Sequence, residues 1–167
     1  DRVVISGVTG DITDITLTHI YLDEVGGTVD GEEKSNRTVM LPTSIIFDQE
    51  IINYTGADDY ILDEIKVSVT YESNLESAEN ILISSVEEAM KDLWKKYPKK
   101  VEKKPHIRLN FLASGIEATV RYVTIAKKRN QISTDIRRLI HKKIISSEKV
   151  EFAYPHSEVL FREKNKK

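Results

Sequence analysis

Residues 65–71, Ile-Lys-Val-Ser-Val-Thr-Tyr, alternate apolar and polar at every step, which predicts a strand with Ile65, Val67, Val69 and Tyr71 on one face. The period then changes. Leu75, Ala78, Leu82, Val86, Ala89, Met90, Leu93 and Tyr97 recur at helical spacing. Ser73 and Glu76 supply an S-x-x-E capping box at the start, and Pro98 helps close the far end. Alternation returns at Ile107, Leu109 and Phe111. Ser114-Gly115 predicts a tight hairpin turn into a partner strand carrying Ile116, Ala118, Val120 and Tyr122. A second helix fits 131–146, with Ile132, Ile136, Leu139, Ile140 and Ile144 as its stripe, Asp135 in its first turn and Lys142-Lys143 near its last. Val150, Phe152 and Tyr154 make a final short strand before Pro155. The order is β-α-β-β-α-β, a ferredoxin-like split βαβ unit.

No helical period survives in residues 1–55. Val3-Val4-Ile5 reads as a short strand ended by Ser6-Gly7. From Gly10 the run DITDITLTHIYL, rich in Thr and Ile, reads as one long bent strand. The glycine-rich polar stretch 24–37 reads as a long surface hairpin loop. Val39-Met40-Leu41 resumes the sheet, Pro42-Thr43-Ser44 turns, Ile45-Ile46-Phe47 continues as strand, and Ile51-Ile52-Asn53-Tyr54 closes. Several short strands in fewer than sixty residues favour a small barrel, which leaves no exposed edges. Pro42 has no N–H to give a ladder, so Pro-Thr-Ser belongs at a corner.

Composition narrows the function classes. The chain has 167 residues, 40% of them hydrophobic and 31% charged, an ordinary balance for one domain or two small ones. It has no cysteine, which excludes disulfides, thiolate nucleophiles and Cys-based zinc sites. It opens on Asp1 without a stretch resembling a signal peptide, and no run approaches the ~20 apolar residues needed to span a bilayer. As given, the chain is expected to be soluble. Net charge is −2, yet it is divided: residues 1–64 carry fourteen Asp/Glu against three Lys/Arg, and residues 65–167 carry thirteen against twenty-two. A net −11 followed by a net +9 suggests two separately built units meeting near 56-GADDYILDE-64.

The ordered series Asp1-x-Val3-x-Ile5-x-Gly7-x-x-Gly10-x-Ile12-x-x-Ile15-x-Leu17, Val39-x-Leu41-Pro42-x-Ser44 and Ile51-Ile52-Asn53-Tyr54 resembles the cytoplasmic part of the small-conductance mechanosensitive channel (MscS) family. In the second half, 67-VSVTYESNLESA-78 and 152-FAYPHSEV-159 are similar to the family's V-x-Y-x-S/D…A and its closing P-F-P-Q-like segment. The sequence departs from the pattern at Thr43, where the family has Asn, at Ile20, in the length of the 24–37 loop, and at Tyr154 and His156.

The resemblance implies a mixed α+β chain: an Sm-like β-barrel domain over 1–60, a ferredoxin-like α/β domain over 61–160, and a basic tail over 161–167. It further implies seven copies forming a hollow cage on the cytoplasmic side of a cell membrane. The membrane-spanning helices would lie outside this sequence, and the channel would release ions and small osmolytes on tension. Neither a cofactor nor a metal is expected. Within the stretch 38–55, Pro42, Thr43, Ser44, Ile45, Phe47, Ile51, Asn53 and Tyr54 form a candidate subunit interface, because exposed apolar side chains there would mark a contact surface. The alternative is that they fill their own barrel core. The charge division could bias which ions enter such a cage, although most of these charges would be solvated and screened within about 8 Å.

RNA binding is the strongest rival, since 91-KDLWKKYPKKVEKK-104 interleaves lysines with Trp94 and Tyr97. Against it, the acidic first half would repel phosphate. Enzymatic function has little to stand on. His19, His106, His141 and His156 are scattered without metal spacing, and Gly7-Val-Thr-Gly10 lacks the Lys-Ser/Thr of a phosphate loop. A metabolite-sensing module is a third reading, which fold alone leaves open.

Overall fold

The structure, a computed structural model, describes residues 1–27 and 33–155. Its element order is β1 (Arg2–Ile5), β2 (Val8–Ile15), β3 (His19–Val25), β4 (Lys34–Pro42), β5 (Ile51–Asn53), β6 (Tyr60–Val69), α1 (Leu75–Trp94), β7 (His106–Leu112), β8 (Gly115–Ile125) and α2 (Arg129–Ile145). This is a mixed α+β chain with two antiparallel sheets and two helices, as the alternating periods predict.

The first sheet has five strands in the order β4-β3-β2-β1-β5. Ser6 and Gly7 sit at φ 51° and 79°, the pair of positive values a two-residue hairpin needs, and Ile5 faces Val8 across it. At Gly10 a Cβ would lie 2.8 Å from the Asp23 carbonyl oxygen and 2.9 Å from Leu22 Cβ, so only glycine lets β2 and β3 cross this closely. Val3, Ile5, Ile20 and Leu22 form a small buried core, with Val8, Ile12, Val39, Leu41 and Ile45 packed around it.

Three expectations fail here, each for a local reason. The run from Gly10 is two strands, not one: the chain reverses at Thr16-Leu17-Thr18. No Gly, Pro or Asn announces that turn. Instead the Thr16 hydroxyl donates to the His19 carbonyl and accepts from the His19 N–H, both at 3.0 Å. The 24–37 loop is shorter than expected, because β3 reaches Val25 and β4 resumes at Lys34. Ile45-Ile46-Phe47 is not strand; Thr43–Phe47 is a 3₁₀ helix entered from Pro42 at φ −63° and ψ 138°. Among the described residues no ladder joins β4 to β5, so the sheet's two edges are connected through this 3₁₀ turn.

The second sheet runs β6-β8-β7. Its inner face and the two helices enclose seventeen buried residues, among them Ile65, Leu82, Val86, Met90, Tyr122 and Ile136. The predicted stripes of both helices fall in this core, apart from half-buried positions such as Ala89 and Leu139. The outer face is polar, with Glu64, Lys66, Arg108, Asn110, Glu117 and Arg121 around one shallow depression.

The expected capping box is displaced by one residue. Asn74 caps α1, its side chain accepting from the Ser77 N–H at 2.8 Å. Ser73 is occupied elsewhere: its hydroxyl accepts from the Glu151 N–H at 3.0 Å, tying the helix start to the end of the described chain. α2 begins at Arg129, earlier than the stripe suggested, which puts Asp135 beyond its first turn. The final strand is reduced to one antiparallel bridge, Val69 to Phe152, flanked by hydrogen bonds from Thr70 to Glu151 and from Ala153 to Ser68. His156 and the 161–167 tail lie outside the described residues.

Candidate contact surface and the joint between the halves

The motif residues divide by role. Pro42 ends β4 opposite His19. The Thr43 N–H donates to the Thr18 carbonyl at 2.9 Å and its hydroxyl to the Thr16 carbonyl at 3.3 Å, which fixes the 3₁₀ turn against the β2–β3 hairpin. Ile45 packs on the small core. The Asn53 side chain donates to Asp1 at 3.1 Å and accepts from the Thr55 N–H at 3.0 Å, anchoring the chain start. Pro42, Thr43, Ile45 and Asn53 are therefore spent within the chain.

The others face outward. Phe47 is 84% exposed, Ser44 is exposed, and Ile51 at 42% and Tyr54 at 36% are partly so, with Ile46 and Ile52 beside them. Sequence reading missed Ile15, Leu17 and Met40, which share this half; Leu17, at the tip of the β2–β3 hairpin, is 98% exposed. Only recognition of the Thr16 turn could have placed Leu17 at a tip. These exposed apolar side chains make this half of the chain the candidate contact surface.

Where the halves meet, charge is buried. Arg2, only 5% exposed, donates to Asp11 through Nε at 3.2 Å and Nη2 at 3.1 Å. Lys127, preceding α2, stands 3.7 Å from the same carboxylate. Burial alone would push Asp11 up, but the bonds and charge of Arg2, helped by Lys127 and Lys34, hold it below its ordinary value. Two more links cross the joint. The Ala126 N–H donates to the Asp59 carbonyl at 2.9 Å. Lys100 pairs with Asp58 at 3.2 Å. The Asp58 carboxyl is held low, first by the Tyr60 N–H and then by Lys100.

The aromatics behind the RNA-binding reading turn inward. Tyr97 is buried and Trp94 packs against the main core, so neither offers a face for base stacking. Among the described residues no His, Asp or Glu cluster could hold a metal, and no helix is long and apolar enough to cross a membrane. His106 pairs with Glu102 at 2.8 Å, and His141 stacks on Phe152. The Tyr122 hydroxyl donates to Asp63 at 2.7 Å; burial and that neighbouring charge push the phenol far above its ordinary range and keep it protonated.

No protein-family model matches the sequence, and no curated protein does. In three dimensions the likeness is extensive. MscS of Helicobacter pylori, crystallised in its closed state, matches 98% of this chain and 58% of its own, with a TM-score of 0.68 at 17% identity. MSL1 of Arabidopsis thaliana, solved by cryo-EM, matches 93% of this chain and 52% of its own, with a TM-score of 0.56 at 15% identity. A wild-type MSL1 structure gives 0.58 at 16% identity, over 93% of this chain and 50% of the other. The chain thus spans little more than half the length of the structures it matches. Its fold is the one that MscS and MSL1 carry in the matched part of their chains, in agreement with the family its motifs resemble.

Proposed function

We propose that this chain is the cytoplasmic vestibule of a mechanosensitive channel, a cage segment through which ions and small osmolytes leave when membrane tension opens a pore formed by residues outside this sequence. The observation that carries the reading is the match to MscS over nearly the whole chain. On this reading residues 1–60 form an Sm-like domain, supported by the β5-β1-β2-β3-β4 order and the 3₁₀ turn between its edges. Residues 61–160 form a ferredoxin-like domain, supported by the order Phe152-β6-β8-β7. Residues 161–167 follow as a basic tail.

Seven copies close into a ring at a cell membrane, with this part on the cytoplasmic side. In a cyclic ring each subunit offers two different complementary faces. Ser44, Phe47, Ile51 and Tyr54, with Leu17 beside them, belong to one. The test is electrophysiological: the parent protein, reconstituted into liposomes and patched under suction, should show a tension-gated conductance. A parent protein that reconstitutes but stays silent up to membrane rupture overturns the proposal.

A further inference from the structure

Between the halves lies an open groove of about 800 Å³. Five cations line it: Arg2, Lys34, Lys127, Lys128 and Arg138. Its carboxylates are fewer and mostly engaged. Asp11 is taken by Arg2, and Asp135 pairs with Arg138 at 3.3 Å, leaving Glu33. Lys34 leans toward Asp23, outside the groove, at 3.5 Å. Lys127 reaches only the already paired Asp11, and Lys128 has no carboxylate within salt-bridge distance among the described residues.

α2 starts at this groove with no side-chain cap and no acid in its own first turn, although Asp63 of β6 stands 3.8 Å from Arg129 beside that end. Arg2, nineteen-twentieths buried, keeps its Nη1 without a hydrogen-bond partner among the described residues but out of reach of the open groove, so it contributes positive charge from below rather than a direct contact. The other space Arg2 lines, about 10 Å³ beside Thr9 and Tyr54, has room for little beyond a water.

We propose that this groove is a binding site for a compact multivalent oxyanion of the phosphate class, held by Lys127, Lys128 and the start of α2, with Arg2 at its base. Such a ligand would meet the charge of β1 and the start of α2 together and so lock the two halves in one relative orientation. The volume admits either inorganic polyphosphate or the phosphate end of a nucleotide. The site is independent of ring formation, so its failure would leave the proposed function standing.

Calorimetric titration of the 167-residue chain at constant ionic strength, with inorganic pyrophosphate in one arm and ATP in the other, tests it. Saturable binding is expected. K127E/K128E should weaken it at least about tenfold, while K95E/K96E, which reverses two charges at the far end of α1, should leave it within about twofold. Circular dichroism checks that both variants are folded. Equal affinity in the two arms identifies phosphate alone as the ligand, and ATP at least about tenfold tighter identifies a nucleotide. No saturable binding up to about 10 mM, or equal weakening by the two variants, overturns the site.

Discussion

The two halves of this chain bury their apolar residues to very different extents. Beyond residue 60, seventeen side chains fuse into one core between a sheet and two helices. Before it, among the described residues, a five-stranded sheet closes over a cluster of four, with Val25 buried apart from it, while Ile15, Leu17, Met40, Ile46, Phe47, Ile51 and Ile52 remain on the surface. A unit of some fifty residues rarely stabilises itself on a core that small. The α/β half buries most of its apolar side chains in its own core, whereas the β half leaves many of its own in water.

Core truncations should show the largest effects and expose that difference. Ile136, with no exposed surface, sits among α1, α2 and the sheet; Ile136→Ala should cost about 4 kcal/mol in urea unfolding. Leu22 is equally buried but has few buried neighbours, and Leu22→Ala should cost about 3 kcal/mol. A Leu22→Ala cost below about 1 kcal/mol would mean that the small core does not hold the β half together.

The joint comes next. Asp11→Ala strands Arg2, whose guanidinium is almost wholly out of water, and should cost about 3 kcal/mol, the low end for a broken buried pair because Lys127 and the groove keep water near. The pH dependence has a definite sign. Because the folded carboxyl titrates below its ordinary 3.8, its contribution is present in full above ~pH 5 and is lost as pH falls through 3.8 toward the folded value. Asp11→Asn should flatten that part of the stability profile. An unchanged acid limb in the variant would remove Asp11 from the account.

Capping offers a smaller comparison, between neighbours. Asn74→Ala removes the acceptor for the Ser77 N–H and should cost about 1 kcal/mol. Ser73→Ala leaves the helix start intact but unpairs the Glu151 N–H, which is exposed to water; its cost should be about half as large. If Ser73→Ala proves the more damaging in thermal melts, the cap has been assigned to the wrong residue.

These residues also mark what the sequence could disclose. The α/β half was legible because period decides it: Leu82, Val86 and Met90 repeat at helical spacing, and Ala118, Val120 and Tyr122 alternate. The displaced cap was not, since Ser73 and Asn74 are both good N-cap residues and only the position of Glu151 separates them. In the β half, side chains override the usual turn signals. Thr16 makes its own turn without glycine, and Pro42 opens a 3₁₀ helix whose isoleucines look like strand. Of the contact surface, Phe47 and Ile51 stood out in the sequence. Leu17 did not, because an apolar residue in an alternating run is indistinguishable from core until the turn beside it is known. The groove at the joint was also hidden, since its cations come from four separate elements or connections.

The substitution expected to disturb folding least is the one that weighs most on the contrast between the halves. Phe47 is 84% exposed and makes no aromatic pair among the described residues, so Phe47→Asp should move the stability of the monomer by no more than about 0.5 kcal/mol. If the β half is finished by neighbouring copies, the same change places a charge in a dry contact and should shift the sedimentation coefficient toward that of a single chain. Should the variant sediment as an oligomer indistinguishable from wild type, Phe47 would lie outside the contact. The apolar surface would then need a different partner, with Leu17→Asp, in the hairpin turn to which Thr43 bonds, as the next residue to decide whether any copy covers it.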